Sequence, residues 1–247
     1  AGPVGLETLI GAFAESPAEY GAALLAAIEH ELTAEQPDPW TLELISSALD
    51  GLRLAGPTWD AALAERDLDQ ATRAAYDAAG WADYGALRDS FSASDLIASG
   101  MPEAADRLLE RGSFQLGGTP ERRAFYLANR ADVARLEHRW GDCLDFCDAA
   151  QLLLEQRPDR PTAMWYEATC LTFGVRGQAE LFLGRLRESF AALTRERAAA
   201  EALLAEGGDW SYRAPELLAI ATFRSAELKL FTGRHDEVIA QVAGVLG

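Results

Sequence analysis

Apolar residues recur along most of the chain at a spacing of three or four positions. One early segment shows this spacing at Leu42, Ile45, Leu49 and Leu52. Such a spacing places the side chains on one face of an α-helix. No segment alternates apolar and polar residues in the manner of a strand. The pattern therefore predicts an all-α protein without a sheet.

Pro and Gly separate the helical segments at short intervals, which predicts where the helices begin and end. Ser16-Pro17-Ala18-Glu19 has the pattern of a capping box with Pro at the first helical position. Asp38-Pro39 predicts the start of the next helix, and Gly56-Pro57 predicts its end. A shorter, more polar helix is expected around 63–78, with another beginning near Trp81.

From about residue 100 onward the boundaries are more regular. Thr119-Pro120 predicts a helix capped by Thr, with Pro in its first turn. The boundaries predict helices at about 102–112, 120–138, 140–156, 161–183, 185–207, 215–232 and 235–246.

Four turns between residues 100 and 233 are flanked by side chains of similar size at fixed distances. The turns begin at Gly100, His138, Gly184 and Gly233. Seven residues before each turn lie Ala93, Ala131, Gly177 and Ala226. Five residues after each turn lie Ala105, Cys143, Ser189 and Val238, and nine residues after lie Leu109, Cys147, Leu193 and Val242. Two antiparallel helices approach most closely where both carry small side chains, so the pattern indicates repeated helix pairs.

The turn sequences resemble those of the tetratricopeptide repeat family, especially at 182–189 and 231–238. The turns lie about 38, 46 and 49 residues apart, whereas the family repeats every 34 residues. The first-helix aromatic of the family is kept at Phe173 only. The resemblance covers about 85–247 and implies antiparallel helix pairs stacked as an α-solenoid. A non-repetitive helical bundle is the alternative.

The domain organisation expected from these patterns has two parts. Residues 1–80 form an N-terminal helical region that packs on the array, and 81–247 form the tetratricopeptide-like repeats. We expect both parts to belong to one continuous α-helical domain.

The net charge of −17 is large. An acidic surface repels phosphate backbones and anionic lipid heads, so we expect no nucleic-acid or membrane partner. No apolar run reaches the ~18 residues of a membrane span. Three cysteines are typical of a reducing compartment, and we expect a cytoplasmic protein.

Few residues suggest catalytic or metal chemistry. Cys143 and Cys147 share a helix face close to His138, which is one arrangement for a soft metal. Both cysteines also occupy packing positions of the repeat, where a free Cys behaves as a small apolar residue. The histidines lie in no recognisable catalytic motif. We therefore expect no metal, no cofactor and no catalytic residues.

The resemblance implies a concave surface lined by the first helix of each pair, with extended peptides as ligands. The positions that it assigns to this surface are Asn129, Asp132, Arg135, Val175, Gln178, Arg224 and Glu227. We therefore expect an interaction or scaffold module that binds a protein or peptide. The alternatives are a sensor domain of a larger bacterial regulator and an all-α enzyme.

Overall fold

The computed structural model of the protein describes residues 5–33, 38–112, 119–156, 161–206 and 214–239. All regular secondary structure in these ranges is helical, which confirms the predicted all-α class. The helices are α1 (Leu6–Glu15), α2 (Pro17–Leu32), α3 (Pro39–Leu54), α4 (Pro57–Glu65), α5 (Leu68–Ala78), α6 (Ala82–Ala98), α7 (Pro102–Gly112), α8 (Pro120–Leu136), α9 (Trp140–Leu154), α10 (Ala163–Phe182), α11 (Leu186–Glu206) and α12 (Ala214–Phe231). Residues 235–239 are also helical. The rest of the predicted last helix lies outside the described residues.

Helix α3 begins where the sequence predicts, because Asp38 caps it. The Asp38 carboxylate accepts hydrogen bonds from the backbone amides of Trp40, at 2.9 Å, and Thr41, at 3.1 Å. Helix α2 also begins at the predicted Pro17, but the predicted capping box is wrong. Ser16 makes no side-chain cap and also ends α1, where its amide donates to the carbonyl of Ala12. Its backbone is held at φ −145° and ψ 80°, away from the extended geometry of a usual N-cap.

The helix expected at 63–78 is in fact two helices, α4 and α5. They are separated by Asp67, whose φ of 51° lies in the left-handed region. Asp tolerates this conformation better than most residues because its short polar side chain can bond locally. The predicted Thr119 cap is also absent, since α8 begins at Pro120 and no backbone amide donates a hydrogen bond to the Thr119 side chain.

The chain divides into two compact units, Ala1–Gly117 and Gly118–Gly247. Helices α6 and α7, which the sequence analysis groups with the repeats, lie in the first unit. Among the described helices, none is both long and apolar enough to cross a membrane.

The first unit has its own apolar core, formed mainly by α1, α2 and α3. Leu24, Ile28, Leu42, Ile45 and Leu52 are fully buried there.

Ion pairs link α3, α5 and α6 beside this core. Arg53 pairs with Asp69, Arg73 with Asp89, and Arg88 with Asp50. Burial raises the pKa of Asp89 to about 6, although the neighbouring Arg73 opposes the shift.

The second unit is built on α10, which contacts α8, α9, α11 and α12. One core cluster lies between α8, α9 and α10 and contains Ala131, Cys143, Cys147 and Val175 among others. A second joins α10, α11 and the start of α12 through buried residues that include Tyr166, Cys170 and Leu203. In the first cluster the side chains that face each other are small, so α8, α9 and α10 pack closely.

The four predicted turns share one backbone geometry. Gly100, His138, Gly184 and Gly233 all have positive φ, between 60° and 76°. The amide of the residue that follows each one donates to the carbonyl five positions earlier, at 2.8–2.9 Å. This bond and the left-handed residue define the Schellman motif that ends many helices. Gly80 forms the same motif between α5 and α6, a turn that the sequence analysis did not group with the four.

The two helices joined by a turn are expected to approach closely at their small residues, and this is confirmed for α10 and α11. Ser189 Oγ, five residues after the turn, donates to the carbonyl of Gly177, seven residues before it, at 2.8 Å. A Cβ atom on Gly177 would lie 2.5 Å from the side chain of Leu193. Larger residues at 177 would therefore separate these helices.

Candidate binding face

The predicted ligand-binding residues lie on three helices of the second unit, α8, α10 and α12. Helix α10 contacts both of the others. The three helices are therefore neighbours, with α10 in the middle, although long segments of chain separate them in sequence. We call the surface that carries these residues the α8–α10–α12 face.

On α8 only one of the three predicted residues is accessible to a ligand. Asn129 is fully buried, and its amide donates to the carbonyl of Phe125 at 3.2 Å. Asp132 is also buried and accepts a hydrogen bond from Arg135 Nε at 2.6 Å. Arg135 is half-buried. A ligand on this helix would therefore meet Arg135 and not the two residues beneath it.

Gln178 of α10 and Glu227 of α12 come together across the α8–α10–α12 face. Gln178 Nε2 donates to Glu227 Oε2 at 3.4 Å, and both side chains are half-buried. Val175, one turn earlier on α10, is fully buried in the core. Gln178 and Glu227 each lie six residues before a turn, at Gly184 and Gly233. The contact shows that these two equivalent positions are adjacent in space.

Arg224 of α12 is held in an internal ion pair. Its guanidinium lies 2.5 Å from Glu196 Oε1, and the Glu196 side chain of α11 is almost completely buried. Both groups lie over Gly174 of α10, where any Cβ atom would collide with them. Burial raises the pKa of Glu196, and the positive charge of Arg224 partly opposes this. Arg224 therefore joins three helices and is not freely available to a ligand.

The sequence analysis missed the apolar part of the α8–α10–α12 face. Helix α12 exposes Ile220, Phe223, Leu230 and Phe231. Phe223 and Leu230 lie four before and three after Glu227, which places them on its side of the helix. The three-to-four spacing of these side chains is visible in the sequence and indicates one apolar side of α12.

The cysteine pair is part of the core. Cys143 and Cys147 are both completely buried, and the Cys147 thiol lies 3.7 Å from the carbonyl of Thr172. The hydrogen bond with Cys143, followed by burial, raises the pKa of the Cys147 thiol. Metal binding requires the thiolate form, which this environment disfavours. Across the described ranges, no group of three or more His, Cys, Asp or Glu side chains is placed to hold a metal ion.

No family model, curated protein or solved structure matches this chain. Arguments about its function therefore depend on its own geometry.

The α8–α10–α12 face combines polar, charged and apolar groups. It carries the half-buried amide of Gln178, charges of both signs at Arg135 and Glu227, and exposed apolar side chains along α12. Amide groups can bond to a peptide backbone, while exposed apolar side chains gain free energy when a partner covers them.

Proposed function

We propose that the second unit is a tetratricopeptide-like array of antiparallel helix pairs that binds an extended protein segment on the α8–α10–α12 face. In such an array, the first helix of one pair contacts its own second helix, the first helix of the next pair and the second helix of the preceding pair. Helix α8 contacts α9 and α10, and α10 contacts α9, α11 and α12. The repeated turn geometry supports the same arrangement.

The observation that carries the functional proposal is the contact between Gln178 and Glu227 beside the exposed side chains of α12. Polar and apolar groups from different helices meet on one surface there. Solenoids commonly use such surfaces for binding. The proposed function is that of an interaction or scaffold module, and catalysis is not part of it.

The chemistry of the α8–α10–α12 face indicates what the partner should contain. Phe223 and Leu230 would contact apolar side chains, and Glu227 would favour a basic group nearby. The chain carries a net charge of −17, which also favours basic or neutral segments over acidic ones. We therefore propose a peptide segment in which apolar residues alternate with neutral or basic ones.

The test is a selection of peptides that bind the full chain, followed by measurement of the affinity of the best peptide for variants. Phe223→Ser should weaken binding at least about tenfold, since an aromatic anchor that becomes buried in a complex contributes about 2 kcal/mol or more. Gln178→Ala should weaken it less. Phe190→Ser is the matched control, because Phe190 is an exposed Phe on α11.

Two results would contradict the proposal. One is a selected peptide whose affinity falls with Phe190→Ser and is unchanged by Phe223→Ser. The other is the recovery of acidic peptides only. Charge reversal at Asp132 or Arg224 is a poor test, because both residues hold internal ion pairs whose loss would disturb the fold.

A further inference from the structure

A cavity of about 420 Å³ lies between α9, α10 and α11, away from the residues of the α8–α10–α12 face. Its floor consists of aromatic side chains of α10, Trp165, Tyr166 and Phe173. Ala198, Ala199 and Ala202 of α11 form one wall, and their small side chains leave the space open. Small-molecule sites usually have volumes of ~300–1,000 Å³, so the cavity is large enough for a ligand.

The cavity continues into a second one of about 280 Å³. Both cavities are lined by Gln151, Phe173 and Arg195, so together they form one groove. The polar side chains of Gln151 and Arg195 lie where the two cavities meet, which we call the junction. Arg195 lies over the Phe173 ring, with 5.0 Å between the guanidinium carbon and the ring centroid. A cation at this place can face a ligand that lies along the aromatic floor.

Arg195 differs from Arg176, the other arginine beside the groove, because it has no carboxylate partner among the described residues. Two of the nearby acids are already engaged. Glu155 accepts from Gln151 at 2.9 Å, and Asp148 pairs with Arg176 at 2.5 Å. In a chain with a net charge of −17, an arginine that lies beside an apolar cavity and pairs with no described carboxylate indicates a site for an anionic group.

We propose that this groove binds a small amphipathic carboxylic acid. The apolar body would lie against Trp165, Tyr166 and the alanines, and the carboxylate would pair with Arg195. Glu188 lines the far end of the second cavity and repels an acidic head there, so the carboxylate is expected at the junction. The proposal is independent of peptide binding, because it uses different residues and a different ligand.

The experiment titrates the full chain with decanoate by calorimetry, below the concentration at which decanoate forms micelles. Decanol and decyltrimethylammonium serve as neutral and cationic comparisons of equal chain length. Decanoate should bind saturably at one site and more tightly than either comparison. Arg195 is exposed and a charge pair there is partly screened by solvent, so Arg195→Gln should weaken decanoate binding by roughly two- to fivefold and leave decanol binding nearly unchanged.

Two further variants locate the site. Ala198→Leu adds volume at an exposed position of the wall and should weaken both decanoate and decanol. Arg187→Gln removes a charge from an exposed residue of the same helix outside the groove and should change neither. Circular dichroism confirms that each variant is folded.

The proposal is overturned if wild-type protein shows no saturable binding of decanoate. It is also overturned if decanol binds as tightly as decanoate, or if Arg187→Gln and Arg195→Gln weaken binding equally. Unchanged affinity in Ala198→Leu would place any binding outside this groove.

Discussion

At the scale of single residues, Gly174 shows how a missing side chain allows a contact between three helices. Gly in the middle of a helix costs roughly 0.5–1 kcal/mol relative to Ala. On α10 the absence of a Cβ atom leaves room for the Arg224–Glu196 pair, which joins α12 to α11. A buried ion pair is sensitive to small displacements, because its hydration is lost and only the partner compensates for it.

We predict that Gly174→Ala destabilises the protein, although Ala is the better helix former. The new methyl group would displace Arg224 and Glu196, and such overpacking typically costs roughly 1–3 kcal/mol. Gly141→Ala is the matched control, since a Cβ atom there meets no other atom within 4 Å. The control should be neutral or more stable by a few tenths of a kcal/mol. Chemical denaturation measures both, and equal effects would show that the ion pair tolerates the methyl group.

The partner of Arg224 could not be found from the sequence. The position of Arg224 in the turn pattern was clear, and it suggested an exposed residue that binds a ligand. Its partner lies 28 positions away on another helix, among 39 acidic residues. The sequence predicts which side of its helix each residue lies on. It does not identify the carboxylate that pairs with Arg224, because that depends on how the helices pack against each other.

At the scale of elements, local signals explain why the helix boundaries were largely predictable. Pro in the first turn and Gly in the left-handed turn act over a few residues, so no knowledge of tertiary contacts is needed. The division between α4 and α5 was missed because Asp67 occupies the left-handed position without a Gly to mark it. His138 occupies the same kind of position, and was found only through its spacing from the other turns.

We predict that Gly is the most stabilising residue at the left-handed position of a turn, and that replacing it lowers the free energy of unfolding. A left-handed conformation costs most residues roughly 1–2 kcal/mol, and Gly avoids this cost. Gly184→Ala should therefore lower the free energy of unfolding by about 1 kcal/mol, and His138→Gly should raise it by a similar amount. The His138 ring also lies 5.4 Å from that of Trp140.

His138→Asn repeats the comparison with a second residue that tolerates the left-handed region and lacks the ring. If His138→Gly and His138→Asn both destabilise the protein, the contact with Trp140 outweighs the backbone strain. Thermal and denaturant unfolding of the full chain would measure these differences.

At the scale of the whole molecule, the sequence and the structure place the division of the chain differently. The repeat pattern suggests a boundary near residue 80, since the first repeat-like turn follows it. The compact units divide between residues 117 and 118. Helix α6 has the turn chemistry of the later helix pairs, yet its charged residues pair with α3 and α5 of the first unit. Turn sequences report local geometry and carry no information about which core a helix joins.

The two boundaries predict different folding behaviour for fragments. A fragment of residues 1–117 keeps the pairs Arg73–Asp89 and Arg88–Asp50, whereas a fragment of residues 1–80 removes α6 and with it Asp89 and Arg88. The shorter fragment leaves Arg73 and Asp50 without these partners and loses the packing of α6 on α3 and α5, so it buries less surface and should be less stable. We expect fragments 1–117 and 118–247 to unfold cooperatively and fragment 1–80 to unfold without a cooperative transition, as measured by circular dichroism in denaturant. If fragments 1–80 and 81–247 each unfold cooperatively when made separately, the boundary near residue 80 would be favoured. Helices α6 and α7 would then belong with the later helix pairs.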